Sequence, residues 1–348
     1  MKTPSIDVTY LIRILTDLLD IPSPTGLADP AITYVEQALR ELDLQPRRTV
    51  KGALVAEWAG QSDDAPRALT AHADTLGAMV KEIKGNGRLI LTNIGGFAWN
   101  TVEGEGCQVF TTNGRVIRGS LLLSKASAHV YGKAVGETKR SAEMMEVRLD
   151  ERTISAGQTR ALGIEVGDFV AFDPRVEVSD SGFIRSRHLD DKAGIASVLA
   201  AVKAMQEAGI SPAQRVTLHI SHYEEVGHGA ATGFPPDLAE LVAVDMAAVG
   251  DGQMSDEFHV TICAKDSGGP YHHGLTQRLR KLAQENGIPH KMDIYPYYGS
   301  DGEAFWRAGG DVQVALIGPG VDASHSYERT HTDALVATVQ LVMAYLRG

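Results

Sequence analysis

Apolar residues recur along this chain with two periods, one helical and one alternating. From Tyr10 to Leu19 they fall at helical spacing, and Ile21-Pro22-Ser23-Pro24-Thr25-Gly26 then supplies a stop and a turn. Ala31 to Leu42 reads as a second amphipathic helix, with Ile32, Val35, Leu39 and Leu42 as its apolar stripe. Ala53–Trp58 and Ala68–His72 read as strands, the second leading into His72-Ala73-Asp74-Thr75. Further on, Asp191 to Glu207 is a strong helix closed by Gly209. Arg215 to Ile220 alternates, with Val216, Leu218 and Ile220 on one face, as a half-buried strand requires. Strands at Leu241–Asp245 and Val312–Ile317, and helices over Gly274–Glu285 and Thr332–Leu346, complete this part.

Between about Met79 and Val176 the texture differs. Short β-type runs such as Leu89-Ile90-Leu91, Cys107-Gln108-Val109-Phe110 and Phe169-Val170-Ala171-Phe172 alternate with Gly, Asn and Asp. No long helical period is obvious. The pattern predicts an α/β protein with a mostly parallel sheet covered by helices, interrupted by a small β-rich domain. The expected division is residues 1–77 with 177–348 as one domain and 78–176 as the insertion.

Composition narrows the class. The chain has 348 residues, 43% of them hydrophobic, ample for a large core. A formal charge of -11 disfavours nucleic acid and anionic membrane as partners. No apolar run reaches the roughly 18 residues of a membrane helix. The N-terminal segment carries Arg13, Asp17 and Asp20 where a signal peptide would be uninterruptedly apolar, so a cytoplasmic location is expected. Cys107 and Cys263, far apart, support neither a disulfide framework nor a cysteine zinc site.

The candidate chemistry lies at predicted strand ends. His72 and Asp74 follow one strand, and Glu224 and Glu225 follow the next. Asp245 ends another, His325 lies in the loop after the last, and Asp190 stands just before the long helix. In open α/β sheets ligands bind beyond the carboxyl ends of the strands. Any one of these residues alone is an ordinary cap or surface charge. Five or six on one edge would repel one another unless a cation held them, and mixed imidazole and carboxylate ligands suit zinc, cobalt or manganese. Two divalent ions would be balanced by Asp190, Glu225, Asp245 and a bridging hydroxide, with Asp190 bridging and a neutral histidine on each side.

In this order the segments resemble the dinuclear metallo-aminopeptidases of metallopeptidase family forty-two, the tetrahedral (TET) and glutamyl aminopeptidases. The resemblance rests on His72-Ala73-Asp74, Leu189-Asp190-Asp191-Lys192-Ala193-Gly194, Glu224-Glu225-Val226-Gly227, Val244-Asp245, Gly299-Ser300-Asp301 and His325-Ser326. It implies a zinc-exopeptidase-like fold with the β-rich domain inserted between the first ligand histidine and the bridging aspartate. It also implies His72, Asp190, Glu225, Asp245 and His325 as ligands of two divalent ions, zinc first and cobalt or manganese after it. Glu224 would be the general base that takes a proton from the metal-bound water to give the attacking hydroxide, and Asp74 would orient the His72 ring. The substrates would be short peptides with a free N-terminus, and the assembly a homo-oligomer, commonly a dodecamer. Thr75 and Lys192 stand where many members carry Glu and Arg, and His331 is the alternative to His325 as last ligand.

Other readings fit less well. Asp266-Ser267-Gly268-Gly269-Pro270 resembles the nucleophile segment of chymotrypsin-like serine proteases, but Lys265 replaces the usual glycine and long helices oppose that fold. Gly85-Asn86-Gly87 and Gly104-Glu105-Gly106 lack the third glycine and the helix of a dinucleotide site. A non-catalytic metal-stabilised assembly protein would have no use for Glu224. The nearer rival keeps the metal site and changes the substrate to a capped or osmolyte-type dipeptide amide.

Overall fold

In a computed structural model, residues 4–348 are described; Met1, Lys2 and Thr3, where the reading of the N-terminus begins, lie outside the described residues. The chain forms two compact units. One comprises residues 1–74 and 175–348, and the other Thr75–Pro174.

The larger unit is built on a twelve-stranded sheet. Four strands at its centre run parallel, in the order Gln214–Ser221, Ser62–His72, Glu240–Val244, Gln313–Asp322. The flanks are antiparallel: Leu54–Trp58 pairs the Gln214 strand, and Val260–Lys265 pairs the Gln313 strand. The sheet is therefore mixed, and beyond the antiparallel step His290–Ile294 pairs parallel with Val260–Lys265.

Alternation gives the central strands two buried faces. In Glu240–Val244, Val242 and Val244 join the main core, while Leu241 and Ala243 join a second one. The main core is closed by the helices Val8–Asp20, Asp29–Glu41, Leu189–Glu207, His273–Glu285 and Thr332–Arg347. The short helix Asp301–Arg307 contributes Phe305 and Trp306 to the second. The Gln214 strand is buried on both faces rather than one. Thr217, His219 and Ser221 are covered as well, His219 by Thr70 (3.1 Å) and by the Phe234 ring at 4.6 Å.

The smaller unit is a closed six-stranded barrel around Ala78, Val80, Leu91, Val109, Leu121 and Val147. Its first strand, Gly77–Ile83, pairs antiparallel with its last, Phe169–Phe172, matching Ala78 with Val170. Gly85-Asn86-Gly87 is the turn between two of its strands, with no helix after it.

Two residues of the Leu189–Gly194 segment explain how the long helix is seated. Lys192 is buried, and its ammonium donates to the carbonyls of Leu18 (2.8 Å) and Ile21 (2.7 Å), closing the C-terminal end of the first helix. Burial pushes its pKa down to about 7. At Gly194 a β-carbon would run into the Val244 carbonyl oxygen and the Asp191 carboxylate. Neither can withdraw, because Val244 is in the central sheet and Asp191 already bonds the His72 and Gly194 amides. Gly194→Ala is expected to cost about 1–3 kcal/mol of stability through overpacking. Urea unfolding of the two proteins would measure this, and equal midpoints would show that the helix can slide away from the sheet.

Candidate metal centre

Every candidate side chain is placed by the end of a regular element. His72 is the last residue of its strand, and its amide donates to Asp191 Oδ2 (3.2 Å). Glu224 and Glu225 lie in a single 3-10 turn, Glu224–Val226, just past the adjacent strand. Tyr223 enters that turn with φ 78°. Asp245 follows Val244 directly, and its amide bonds the Ile317 carbonyl at 2.9 Å. Asp190 and Asp191 open the long helix with non-helical backbone, and the peptide between them is cis. His325 has φ 63° in the turn after Asp322.

These residues converge. His72 Nε2 lies 3.0 Å from Asp190 Oδ1 and 3.7 Å from Glu224 Oε2. His325 Nε2 lies 3.3 Å from Asp190 Oδ2 and 3.8 Å from Glu225 Oε2. Two groups of side chains could each hold a cation: His72, Asp190 and Asp245, and Asp190, Glu225 and His325. Asp190 belongs to both through its two oxygens. Glu224 belongs to neither, yet it lines the same cavity of about 460 Å³. The same cavity is also lined by Met246, Ser267, Tyr297, Tyr298, Ser300 and Arg307.

The electrostatics fit a cation. Burial, then the charge of Asp190, pushes Asp245 up to about 8. Burial likewise holds Glu224 and Glu225 well above the usual carboxylate range, with the surrounding carboxylates adding to it. For Asp190 burial acts upward, but hydrogen bonds from His325 and His72 outweigh it and hold the group low. For His72 burial acts downward, and Glu224, Asp190 and Asp245 outweigh it in the opposite direction. Acids this crowded and dry retain their charge only against added positive charge. Imidazole nitrogens and carboxylate oxygens are donors that zinc, cobalt and manganese accept.

Asp74 meets the His72 ring through its backbone rather than its carboxylate. His72 Nδ1 is bonded by the Asp74 carbonyl oxygen at 2.9 Å, while the Asp74 carboxylate stands 3.9 Å away. The strand ends at His72, so the alternation that would bring both side chains to one face stops there. The carboxylate instead accepts from the Glu224 amide (3.2 Å), the Glu225 amide (3.4 Å) and Thr25 Oγ1 (2.6 Å). His331 lies outside both groups: it caps the last helix through the Asp333 amide and bonds the Ser181 carbonyl. His222 accepts from the Gly26 amide at 2.8 Å, and His228 stacks on Tyr223. Ser267 Oγ donates to the Pro296 carbonyl, and Asp266 takes the Gly268 and Gly269 amides and the Tyr271 hydroxyl. The serine-protease reading finds no imidazole on that serine.

Glu328, three residues after His325, joins the site through its carboxylate. It is buried, and its two oxygens accept from the Asp190 amide (3.2 Å) and the His325 amide (3.0 Å). One carboxylate thus ties two ligand candidates 135 residues apart in number to a common anchor. Burial, then the charge of Asp190, raises it to about 8.

The family is shown by a sequence model and by a relative of nearly half-identical sequence. The sequence model of the M42 glutamyl aminopeptidases matches residues 52–341. The "Putative aminopeptidase YhfE" of Bacillus subtilis is 48% identical over 341 residues, covering 98% of each chain. The glutamyl aminopeptidase of Lactococcus lactis is 25% identical over 322 residues, covering 89% of this chain and 88% of its own. Among solved structures, the aminopeptidase APDkam598 of Desulfurococcus kamchatkensis superposes with a TM-score of 0.87 at 22% identity, covering 98% of this chain and 95% of its own. The TET1 peptidase of Pyrococcus horikoshii gives 0.83 at 21% identity, covering 97% and 99%. At these identities the two structures speak for the fold alone.

Glu328→Ala is expected to weaken divalent-cation binding about ten- to hundredfold, as losing an outer support of metal ligands does. Competition against a chromophoric chelator would read it; unchanged affinity would mean the two backbones hold their places without the anchor.

Proposed function

The chain belongs to the M42 glutamyl aminopeptidase family, and from that premise we propose that it releases N-terminal residues from short peptides with two divalent cations and a glutamate base. The cations are zinc, or cobalt or manganese in its place. One would be held by His72, Asp190 and Asp245, the other by Asp190, Glu225 and His325. The observation that carries this reading is the position of Glu224. It lines the cavity beside both ligand groups and is a member of neither.

When bound, the two ions supply Lewis acidity toward a peptide carbonyl and lower the pKa of a coordinated water. The chain's own residues do the rest. Glu224 takes a proton from the attacking water and returns it to the departing amine. Its carboxylate is well placed for this because the Asp74 carboxylate bonds the Glu224 and Glu225 amides and sets the turn they share. Asp74 also bonds His72 Nδ1 through its carbonyl, which leaves Nε2 for the cavity side. The wall of Ser267, Tyr297, Tyr298, Ser300 and Arg307 receives the first side chain of the peptide.

A homo-oligomer is part of the proposal, because the TET1 peptidase of Pyrococcus horikoshii is described as assembling into a tetrahedron or a large octahedral shell. A dodecamer follows the same likeness. The proposed location is the cytoplasm. No helix among the described residues is long and apolar enough to cross a membrane.

Two outcomes are expected. Stripped protein should take up two equivalents of divalent metal, and Asp190→Asn should abolish uptake of both while Glu224→Gln keeps both. Turnover in Glu224→Gln should fall about 10²–10⁴-fold, the worth of a general base. Metal analysis beside kinetics separates the roles, and loss of metal from Glu224→Gln would move that residue into the ligand set. The substrate class is tested with matched peptides bearing free or acetylated N-termini. Cleavage of the free series only is expected; cleavage of the acetylated series would make the enzyme a specialised amidohydrolase.

A further inference from the structure

The turn that carries Glu224 continues as the loop Gly227–Ala230, and that loop is gripped from two directions by side chains remote in sequence. Asp301, the first residue of the helix Asp301–Arg307, is buried, and its Oδ1 accepts from the Ala230 amide at 2.7 Å. Its Oδ2 accepts from Ser221 Oγ, at the end of the preceding strand, and from Thr70 Oγ1 at 3.3 Å. At Gly229 a β-carbon would run into Asp301 Oδ1 and the Glu224 backbone, so loop and turn lie in direct contact there. From the other direction Lys51 reaches in ahead of the strand Leu54–Trp58. Its ammonium donates to the carbonyls of His228 and Gly229, the latter at 3.1 Å, and lies 5.8 Å above the Tyr223 ring.

We propose that Lys51 and Asp301 are positioning residues for Glu224, clamping the His228–Ala230 loop so that the base is held at one distance from the reacting water. This rests on the reading of Glu224 as base. The clamp has a definite logic. Asp74 fixes the start of the turn through the Glu224 and Glu225 amides. Asp301 and Lys51 fix its end, one by taking an N–H and the other by giving N–H to two carbonyls. The turn is closed on itself by the Gly227 amide on the Glu224 carbonyl (2.7 Å) and the His228 amide on the Tyr223 carbonyl (3.2 Å). It is short, one 3-10 turn entered and left in the left-handed region at Tyr223 (φ 78°) and Gly227 (φ 87°), so its placement on the sheet edge falls to remote side chains. Glu225 is on the same turn but has an outside restraint once cations are bound. Glu224, outside both ligand groups, would lack that restraint and has the His72 ring 3.7 Å from its carboxylate, so the clamp matters more for the base than for the ligand beside it. A misplacement of about 1 Å in a catalytic group costs on the order of 10²-fold in rate.

Lys51 is the better handle, being only partly buried. With saturating metal, Lys51→Met is expected to lower kcat about 10- to 100-fold while KM stays within about twofold. Metal content and melting temperature should match the parent protein. Lys51→Arg, which keeps a donor and a positive charge, should recover most of kcat. Asp301→Asn serves as the second variant and should lower kcat with metal content retained. A Lys51→Met enzyme with parental kcat, or one whose loss follows loss of metal or of fold, overturns the proposal. Glu224→Gln run alongside separates the two ideas. If it keeps its activity, the base reading falls and the clamp with it; if it is inactive while Lys51→Met is unimpaired, only the clamp falls.

Discussion

Charge crowding at one sheet edge is the constraint on which the rest of the site depends. Parallel strands must all finish at the same edge, and three neighbouring strands here finish at His72, Glu224–Glu225 and Asp245. The long helix adds Asp190 and the last central strand leads to His325. Packing that many acids in a dry cleft is unfavourable unless positive charge arrives. The protein meets this by supplying imidazoles to Asp190 from both sides and by leaving Glu225 and Asp245 raised. The apolar sheet beneath sets the spacing of the acids, and their spacing sets which two groups a cation can join.

The second layer of the site is made almost wholly of side chains bonding to backbone. Asp191 holds the His72 amide, Asp74 the Glu224 and Glu225 amides, and Glu328 the Asp190 and His325 amides. Each acid anchors the chain that carries a ligand candidate rather than the candidate's own functional atoms. That leaves the functional atoms free while their Cα positions are fixed. It also means that several acids in the cleft serve geometry, and only some of them face the cavity.

The fold class and the residues of the cleft were legible because hydrophobic periodicity and strand ends are local signals. What stayed hidden has a physical reason in each case. The strand Glu328–His331 was missed because its two buried residues, Glu328 and Thr330, are polar, so the apolar pattern is silent there. The strands Val260–Lys265 and His290–Ile294 were not assigned either; Ile262 belongs to the main core and Cys263 to the second, so the former is apolar on both sides and shows no alternation. Sheet direction was read as mostly parallel, and the antiparallel flanks come from pairings between distant segments that no window of sequence contains. Lys51 and Asp301 act on backbone, and Thr25 on the Asp74 carboxylate, far away in the chain, so residue type alone carried no sign of their targets.

The barrel's first and last strands are hydrogen-bonded to each other, and this bears on how the cleft is assembled as the chain is made. His72 and Asp190 touch across a separation of 118 residues, nearly all of it barrel. For a disordered connection, bringing its ends together becomes harder by about 0.6 kcal/mol per doubling of length. Once Ala78 has met Val170, the same connection behaves as a tether of about 6 residues on one side and about 20 on the other of a folded knot. A barrel that folds before Asp190 docks would shorten the search by roughly 1–2 kcal/mol of chain entropy. The insertion works as a clasp in time, since the segment that separates the two halves of the site in sequence is the one whose own folding draws them together.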